Sequence, residues 1–361
     1  MSPLNLDDLR RWPDFEAPEL RAWDAADTLI LDEVAARLVG AEVVVIGDDY
    51  GALTLGALDA GATRVRVHQD SLVSEHALAA NGTGDYVNLP LGPELLGGAT
   101  LVLLRLPRSL DALDQIAALI AAHADPSVTV VAGGRIKHMS LGMNEVLARH
   151  FSRVDVSLAR QKSRLLIASE PRVGIVSEPQ RAFHADLGLW VVSTGGAFAG
   201  TSVDIGTRAL LGVLDDVPAF DSAVDLGCGT GILAARLKRL RPDADVLASD
   251  RSAAAVASAE ATMEANGLVV TVTRDDALSQ LPDASLDLVV LNPPFHTGAA
   301  VHSGVATSLF EAASRVLRPG GELWAVWNSH LGYKAQLRSI VGETREVART
   351  PKFTVTASTK G

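Results

Sequence analysis

The chain has 361 residues, long enough for two domains that each bury their own core. Hydrophobic residues make up 48 % and charged residues 21 %, a globular composition, and no stretch approaches the roughly 18 uninterrupted apolar residues of a membrane span. A formal net charge of -11 argues against broad electrostatic adhesion to nucleic acid while leaving room for a local basic patch, and a single cysteine, Cys228, rules out an internal disulfide.

In chain order, the opening residues Met1 to Asp8 are acidic and lack the basic-then-apolar layout of a signal peptide, so a cytoplasmic location is expected. Apolar runs at Glu42 to Ile46, Arg64 to Val67, Leu101 to Leu104 and Val128 to Val131 read as strands, while Leu72 to Ala80 and Asp111 to His123 carry the helical period. Between Arg135 and Arg172 basic residues outnumber acidic ones, a pattern that fits ordinary solvated faces or an RNA contact. Glu170 to Gln180, with Pro171, Gly174 and Pro179, is the expected linker; it places a boundary near Ser177 and domains at 1–176 and 177–361.

The second half opens with a short buried strand, Ala223 to Leu226, then glycines, then a helical stretch from Ile232 to Leu240. Strands are predicted at Asp245 to Ala248, Val269 to Thr273, Leu286 to Leu291 and Glu322 to Trp327, separated by helices at Ala253 to Asn266 and Val305 to Leu317. Alternation of this kind predicts an α/β fold in each half, a parallel, doubly wound, Rossmann-like sheet.

The two halves also correspond residue by residue. Val45 stands 180 positions before Asp225, as do Gly47 before Gly227, Gly51 before Gly231 and Asp70 before Asp250; Ala80-Asn81-Gly82 stands 185 positions before Ala265-Asn266-Gly267. Such long-period self-similarity reads as duplication. The first copy has nevertheless lost chemistry: Asp49 and Tyr50 stand for Gly229 and Thr230, Val45 for Asp225, and Leu106-Pro107-Arg108-Ser109 for Asn292-Pro293-Pro294-Phe295. The N-terminal copy is therefore expected to be degenerate and catalytically dead, supporting the other domain or gripping substrate.

Asp225-Leu226-Gly227-Cys228-Gly229-Thr230-Gly231 lies where a strand meets a helix, the place at which open α/β sheets bind ligands. A dinucleotide loop would need a sixth-position glycine, which here is Ile232. The spacing resembles the methyltransferase version instead, so Asp225, Gly227, Cys228, Gly229 and Gly231 are read as an S-adenosylmethionine loop. Asp250, ending the next strand, suits a ribose diol; Asp276, after the third, suits an adenine amino group, with Asp275 as its competitor. Asn292-Pro293-Pro294-Phe295 follows the fourth strand. The Asn292 carbonyl accepts one N–H of a planar exocyclic amine and the Pro293 carbonyl the other, both prolines stiffen the turn, and Phe295 stacks on a flat target. No strong general base is needed, because the nitrogen becomes acidic once it is methylated.

With loop, tetrapeptide and duplication together, the chain resembles the ribosomal RNA guanine-N2 methyltransferases, the family that includes the small-subunit methyltransferase C and the large-subunit methyltransferase G. That resemblance implies tandem methyltransferase domains, S-adenosylmethionine as cofactor and ribosomal RNA or a ribosomal subunit as partner. No Cys and His spacing suits a metal, so none is expected, and a monomer is expected because the internal duplication can supply the pair of domains. Gly196-Ala197-Phe198 and Val203-Asp204-Ile205-Gly206-Thr207 look like the family's segment ahead of the loop, implied to close over the cofactor through Phe198, Asp204 and Thr207. Other readings of the same residues are methylation of a glutamine side-chain amide or of adenine N6, or a non-catalytic RNA-binding or ribosome assembly factor.

Overall fold

The computed structural model describes residues 4–197, 199–293 and 299–361, with the backbone alone for 299–303. The chain divides into two units, Met1–Glu178 and Pro179–Gly361.

In the first unit α1 (Ala25–Leu38) leads into β1 (Glu42–Ile46), followed by α2 (Ala52–Asp59), β2 (Arg64–His68), α3 (Leu72–Asn81), β3 (Tyr86–Asn88), α4 (Pro93–Leu96), β4 (Leu101–Arg105), α5 (Leu110–His123), β5 (Thr129–Arg135), α6 (Leu141–His150), β6 (Phe151–Val156) and β7 (Ser163–Pro171). The sheet runs β3-β2-β1-β4-β5-β7-β6, parallel from β3 to β5, with β7 antiparallel to both neighbours. The central strands are apolar throughout because both faces are covered. Val43, Val45, Val65 and Leu103 share one core with Ile30 of α1 and Leu53 of α2. Val44, Ile46, Val102 and Leu104 share another with Leu113 and Ile120 of α5 and Leu147 of α6. Each fully buried side chain of this size contributes roughly 1.5–3 kcal/mol.

The second unit begins with a hairpin, β8 (Gln180–His184) and β9 (Leu189–Ser193), then α7 (Ile205–Leu211), β10 (Ser222–Leu226), α8 (Ile232–Leu240), β11 (Asp245–Asp250), α9 (Ala253–Ala265), β12 (Thr271–Arg274), β13 (Leu286–Leu291), α10 (Ala299–Val316), β14 (Leu317–Asn328), α11 (Lys334–Ile340), β15 (Gly342–Arg349) and β16 (Phe353–Lys360). Its main sheet runs β12-β11-β10-β13-β14-β16-β15, strand for strand the order of the first unit, with β16 as the antiparallel insertion. The doubly wound, parallel expectation thus describes five strands of each sheet. Beyond those five, β7 and β16 run antiparallel to both of their neighbours, and the outermost β15 is largely exposed or half-buried, with no apolar run to read.

One asparagine in each unit shows how closely the repeat is kept. Asn81 Oδ1 accepts from Arg10 N (2.8 Å) and its Nδ2 donates to Arg10 O (2.7 Å). Asn266 does the same with Trp190 N (3.0 Å) and Trp190 O (2.7 Å), which ties β9 to the end of α9. Among the described residues no helix is long and apolar enough to cross a membrane, and no group of three or more His, Cys, Asp or Glu is placed to hold a metal.

Candidate active site

The loop between β10 and α8 is built on buried polar atoms. Asp225, near the end of β10, is 1 % exposed; its Oδ2 accepts from Ala234 N (3.0 Å), while Oδ1 is buried with no partner among the described residues. Ser249 Oγ, on the neighbouring β11, is a second buried atom without a partner among them. Gly227 N donates to Ser249 O (2.8 Å) and Gly229 N to Asp250 Oδ2 (3.0 Å), so the loop hangs from the end of β11. Gly227 and Gly229 adopt φ of 71° and 53°, and a Cβ on either would meet no described atom within 4 Å. The carboxyl edge of the sheet is therefore lined by a backbone that a ligand can approach closely, beside acceptors that lack donors.

Burial pushes the Asp225 carboxyl up to about 7; the Ala234 N–H opposes the shift and the Asp250 carboxylate adds to it. Burial likewise raises the Cys228 thiol, with Asp225 and Asp250 adding to the shift, so this cysteine is no nucleophile at neutral pH. Asp250 Oδ1 accepts from Ser252 N (2.9 Å), and Ser252 Oγ accepts from Ala255 N (3.1 Å) to cap α9 on its own. Geometry separates the two aspartates after β12. Asp275 is buried and spends its carboxylate on Ser279 Oγ (2.5 Å) and Gln280 N (3.1 Å), whereas Asp276 stands beyond that turn and is half-buried.

Asn292 emerges from the end of β13. Its Nδ2 donates to Thr207 Oγ1 (2.9 Å) and Asp204 Oδ2 (3.2 Å), and its Oδ1 is buried without a partner among the described residues. Asp204 caps α7, accepting from Gly206 N (2.8 Å) and Thr207 N (3.4 Å) through the same oxygen. Asp204 and Thr207, which the resemblance implied would close over the cofactor, therefore meet the carboxamide of Asn292. Pro293 is buried behind it. Pro294, Phe295 and Phe198 lie outside the described residues. The basic excess of 135–172 is partly neutralised, since Arg149, Arg153 and Arg160 pair with Asp114, Asp155 and Asp32.

The first unit keeps the loop's shape and fills its space. Gly47, Asp49 and Gly51 have φ of 75°, 56° and 100°, matching the left-handed positions Gly227, Gly229 and Gly231. The pairing of β1 with β2 puts Ile46 beside His68, where β10 and β11 put Leu226 beside Ser249. The counterpart of Asp250 is therefore Gln69, not Asp70 as equal spacing suggested; Asp49 N donates to Gln69 Oε1 (3.2 Å) as Gly229 N does to Asp250. The carboxylate missing at Val45 is resupplied from the loop, where Asp48 accepts from Leu53 N (2.7 Å) and Thr54 N (2.8 Å). The pairing of β1 with β4 puts Ile46 beside Leu104, where β10 and β13 put Leu226 beside Leu291, so register makes Arg105 the counterpart of Asn292, not Leu106 as equal spacing suggested. Arg105, ending β4, lies 3.5 Å from where a Cβ on Gly47 would stand and is held by Asp24 and Asp27. Tyr50 Oη donates to Asp14 Oδ2 (2.6 Å) and Arg11 stacks on its ring.

The strand order, the loop after β10, the acidic end of β11 and the Asn-Pro corner after β13 define a doubly wound S-adenosylmethionine-dependent methyltransferase. Two family models divide the chain between them: RLMG N-terminal domain matches residues 2–172 and Methyltransferase small domain matches residues 188–357. Ribosomal RNA large subunit methyltransferase G of Streptomyces avermitilis is 34 % identical, over 98 % of this chain and 96 % of its own length. The protein of that name from Streptomyces coelicolor is 35 % identical, over 98 % and 97 %. The T. thermophilus 16S rRNA N2 methyltransferase RsmC, solved in complex with AdoMet and guanosine, shares the fold at 23 % identity and a TM-score of 0.77, covering 96 % of this chain and 95 % of that one. The chain belongs to the ribosomal RNA large subunit methyltransferase G family, and its cofactor is S-adenosylmethionine.

Two residues have no part in the sequence reading, Ser249 and, in the first unit, Arg105, and Gly206 enters it only as a member of the segment ahead of the loop. Extending the 180-residue offset upstream would have aligned Asp204 and Thr207 with Asp24 and Asp27 and drawn attention to what those positions hold.

Proposed function

We propose that this chain transfers a methyl group from S-adenosylmethionine to the exocyclic N2 of a guanine in ribosomal RNA, with the target base turned out of its stack into the corner after β13. The observation that carries this reading is the buried Oδ1 of Asn292, an acceptor with no donor among the described residues. Support comes from the relatives' names and from the guanosine in the T. thermophilus neighbour.

Asp225, Gly227, Cys228, Gly229, Gly231, Asp250 and Asp276 hold the cofactor; Asp225 Oδ1 and Ser249 Oγ, without partners among the described residues, are the atoms that fit a polar ligand best. When bound, the cofactor supplies an electrophilic methyl group on a sulfonium. The chain's own part is orientation. Asn292 Oδ1 accepts one N–H of the guanine amino group and the Pro293 carbonyl the other, which localises the nitrogen lone pair and aims it. Pro294 stiffens the corner, Phe295 stacks on the base, and Phe198 closes over the cofactor. The proton leaves the nitrogen after transfer, so no base of raised strength is called for. The first unit binds no cofactor and serves as support or as grip on the RNA, and the protein works as a cytoplasmic monomer without a metal.

The test is genetic and chemical. Ribosomal RNA from cells deleted for this protein should lack one N2-methylguanosine, restored by the wild-type gene and not by Asn292→Ala; an unchanged N2-methylguanosine content would overturn the reading.

A further inference from the structure

A carboxamide has one end that donates and one that accepts, and its surroundings decide which end faces the site. Asp204 is a carboxylate and only accepts, so the end of Asn292 that touches it must be Nδ2. Thr207 Oγ1 takes the second N–H at 2.9 Å. Both donors are then spent inside the protein, and the carbonyl faces the other way, buried and unpaired among the described residues. A buried acceptor left unpaired keeps the desolvation cost of its burial, which is relieved when a ligand donates to it.

The first unit provides an internal control. The side chains Asp24 and Asp27 at the start of α1 stand 180 positions before Asp204 and Thr207, and they hold Arg105 at the end of β4. In both units the start of the helix that precedes the first strand grips the side chain at the end of the fourth. Where that side chain is arginine, every one of its polar atoms is a donor. Where it is asparagine, the same grip leaves a carbonyl free. A further difference follows from size. Ala26 occupies the position of Gly206, yet a Cβ on Gly206 would lie 3.0 Å from both Asn292 Oδ1 and Asp204 Oδ2.

We propose that Asp204, Gly206 and Thr207 are positioning residues for Asn292: they lock its carboxamide with the carbonyl toward the target, and so restrict the site to a target nitrogen that carries N–H. This rests on the reading of Asn292 as the acceptor for the target amino group. It moves Asp204 and Thr207 from the cofactor to the target side of the reaction, so their loss slows transfer and leaves cofactor affinity alone.

The experiment uses the full chain with S-adenosylmethionine and purified ribosomal subunits, and measures two quantities for each variant: cofactor Kd by calorimetry and the single-turnover methylation rate at saturating cofactor. Thr207→Val keeps the side-chain shape and removes the acceptor; it should slow transfer by about tenfold to a hundredfold with cofactor Kd within about twofold. Thr207→Ser restores the hydroxyl and should recover most of the rate, which loss of packing alone would not permit. Gly206→Ala should slow transfer as Thr207→Val does. A Thr207→Val protein with weakened cofactor binding and a normal saturated rate would overturn the proposal in favour of a cofactor lid. Normal rate and normal Kd in both Thr207→Val and Gly206→Ala, with Asn292→Ala inactive, would overturn the positioning role and leave the Asn292 reading standing. An active Asn292→Ala would overturn both.

Discussion

Replacing Asp225 by asparagine should make the cofactor-free protein more stable and less able to bind its cofactor. The Asp225 carboxyl is 1 % exposed and raised by burial from 3.8 to about 7. A carboxyl raised in the folded state holds its proton there after the unfolded chain has released it, so the contribution to stability falls as pH rises from about 4 to about 7 and is level above that. At 1.36 kcal/mol per pH unit, the wild-type protein loses about 3 kcal/mol from this group between pH 5 and pH 8. Asparagine keeps an acceptor for Ala234 N and has no charge to bury, so the variant loses nothing from this source. The difference in stability should therefore widen by about 3 kcal/mol over that interval, roughly 6–12 °C in the melting temperature of a unit this size. Asp48 in the first unit is raised to about 7 in the same way, but it is common to both proteins and cancels. Thermal unfolding at pH 5 and pH 8 measures the effect, and a gap that stays constant or narrows would refute the argument. The same variant should bind S-adenosylmethionine at least about tenfold more weakly, because Asp225 Oδ1, without a partner among the described residues, is the acceptor that a ligand would use.

Gly229→Asp imports the residue of the first unit into a backbone of nearly the same φ, 53° against 56° at Asp49. The fold should tolerate it at a cost of about 1–2 kcal/mol while cofactor binding disappears in calorimetry; retained affinity would show that Gly229 does not face the cofactor. Asn266→Ala removes the paired hydrogen bonds to the Trp190 backbone and should cost about 1–2 kcal/mol, with hydrogen exchange at Trp190 N accelerating and the first unit unaffected. The matching change Asn81→Ala should release the Arg10 backbone in the first unit and spare the second.

Much of this was legible in the sequence because it rests on local rules. The loop from Asp225 to Gly231 shows itself through strand, glycines and helix in succession, and the duplication through fixed spacing. Equal spacing failed at β2 because one residue fewer separates Gly47 from that strand's end than separates Gly227 from the matching position of β11; register, set by hydrogen bonding between strands, reassigned Asp250's counterpart to Gln69. The helix Ala25–Leu38 was not anticipated, since its apolar positions are scattered among Asp27, Thr28, Asp32 and Glu33. The grip of Asp204 and Thr207 on Asn292 joins residues 88 and 85 positions apart, which no periodicity reports.

The most direct measurement is the identity of the product. Purified protein incubated with ribosomal subunits and methyl-labelled S-adenosylmethionine, followed by digestion of the RNA to nucleosides, should place the label in N2-methylguanosine, and Asn292→Ala should abolish it while still binding cofactor. Label recovered in protein, in N6-methyladenosine or in any nucleoside other than N2-methylguanosine would contradict the account.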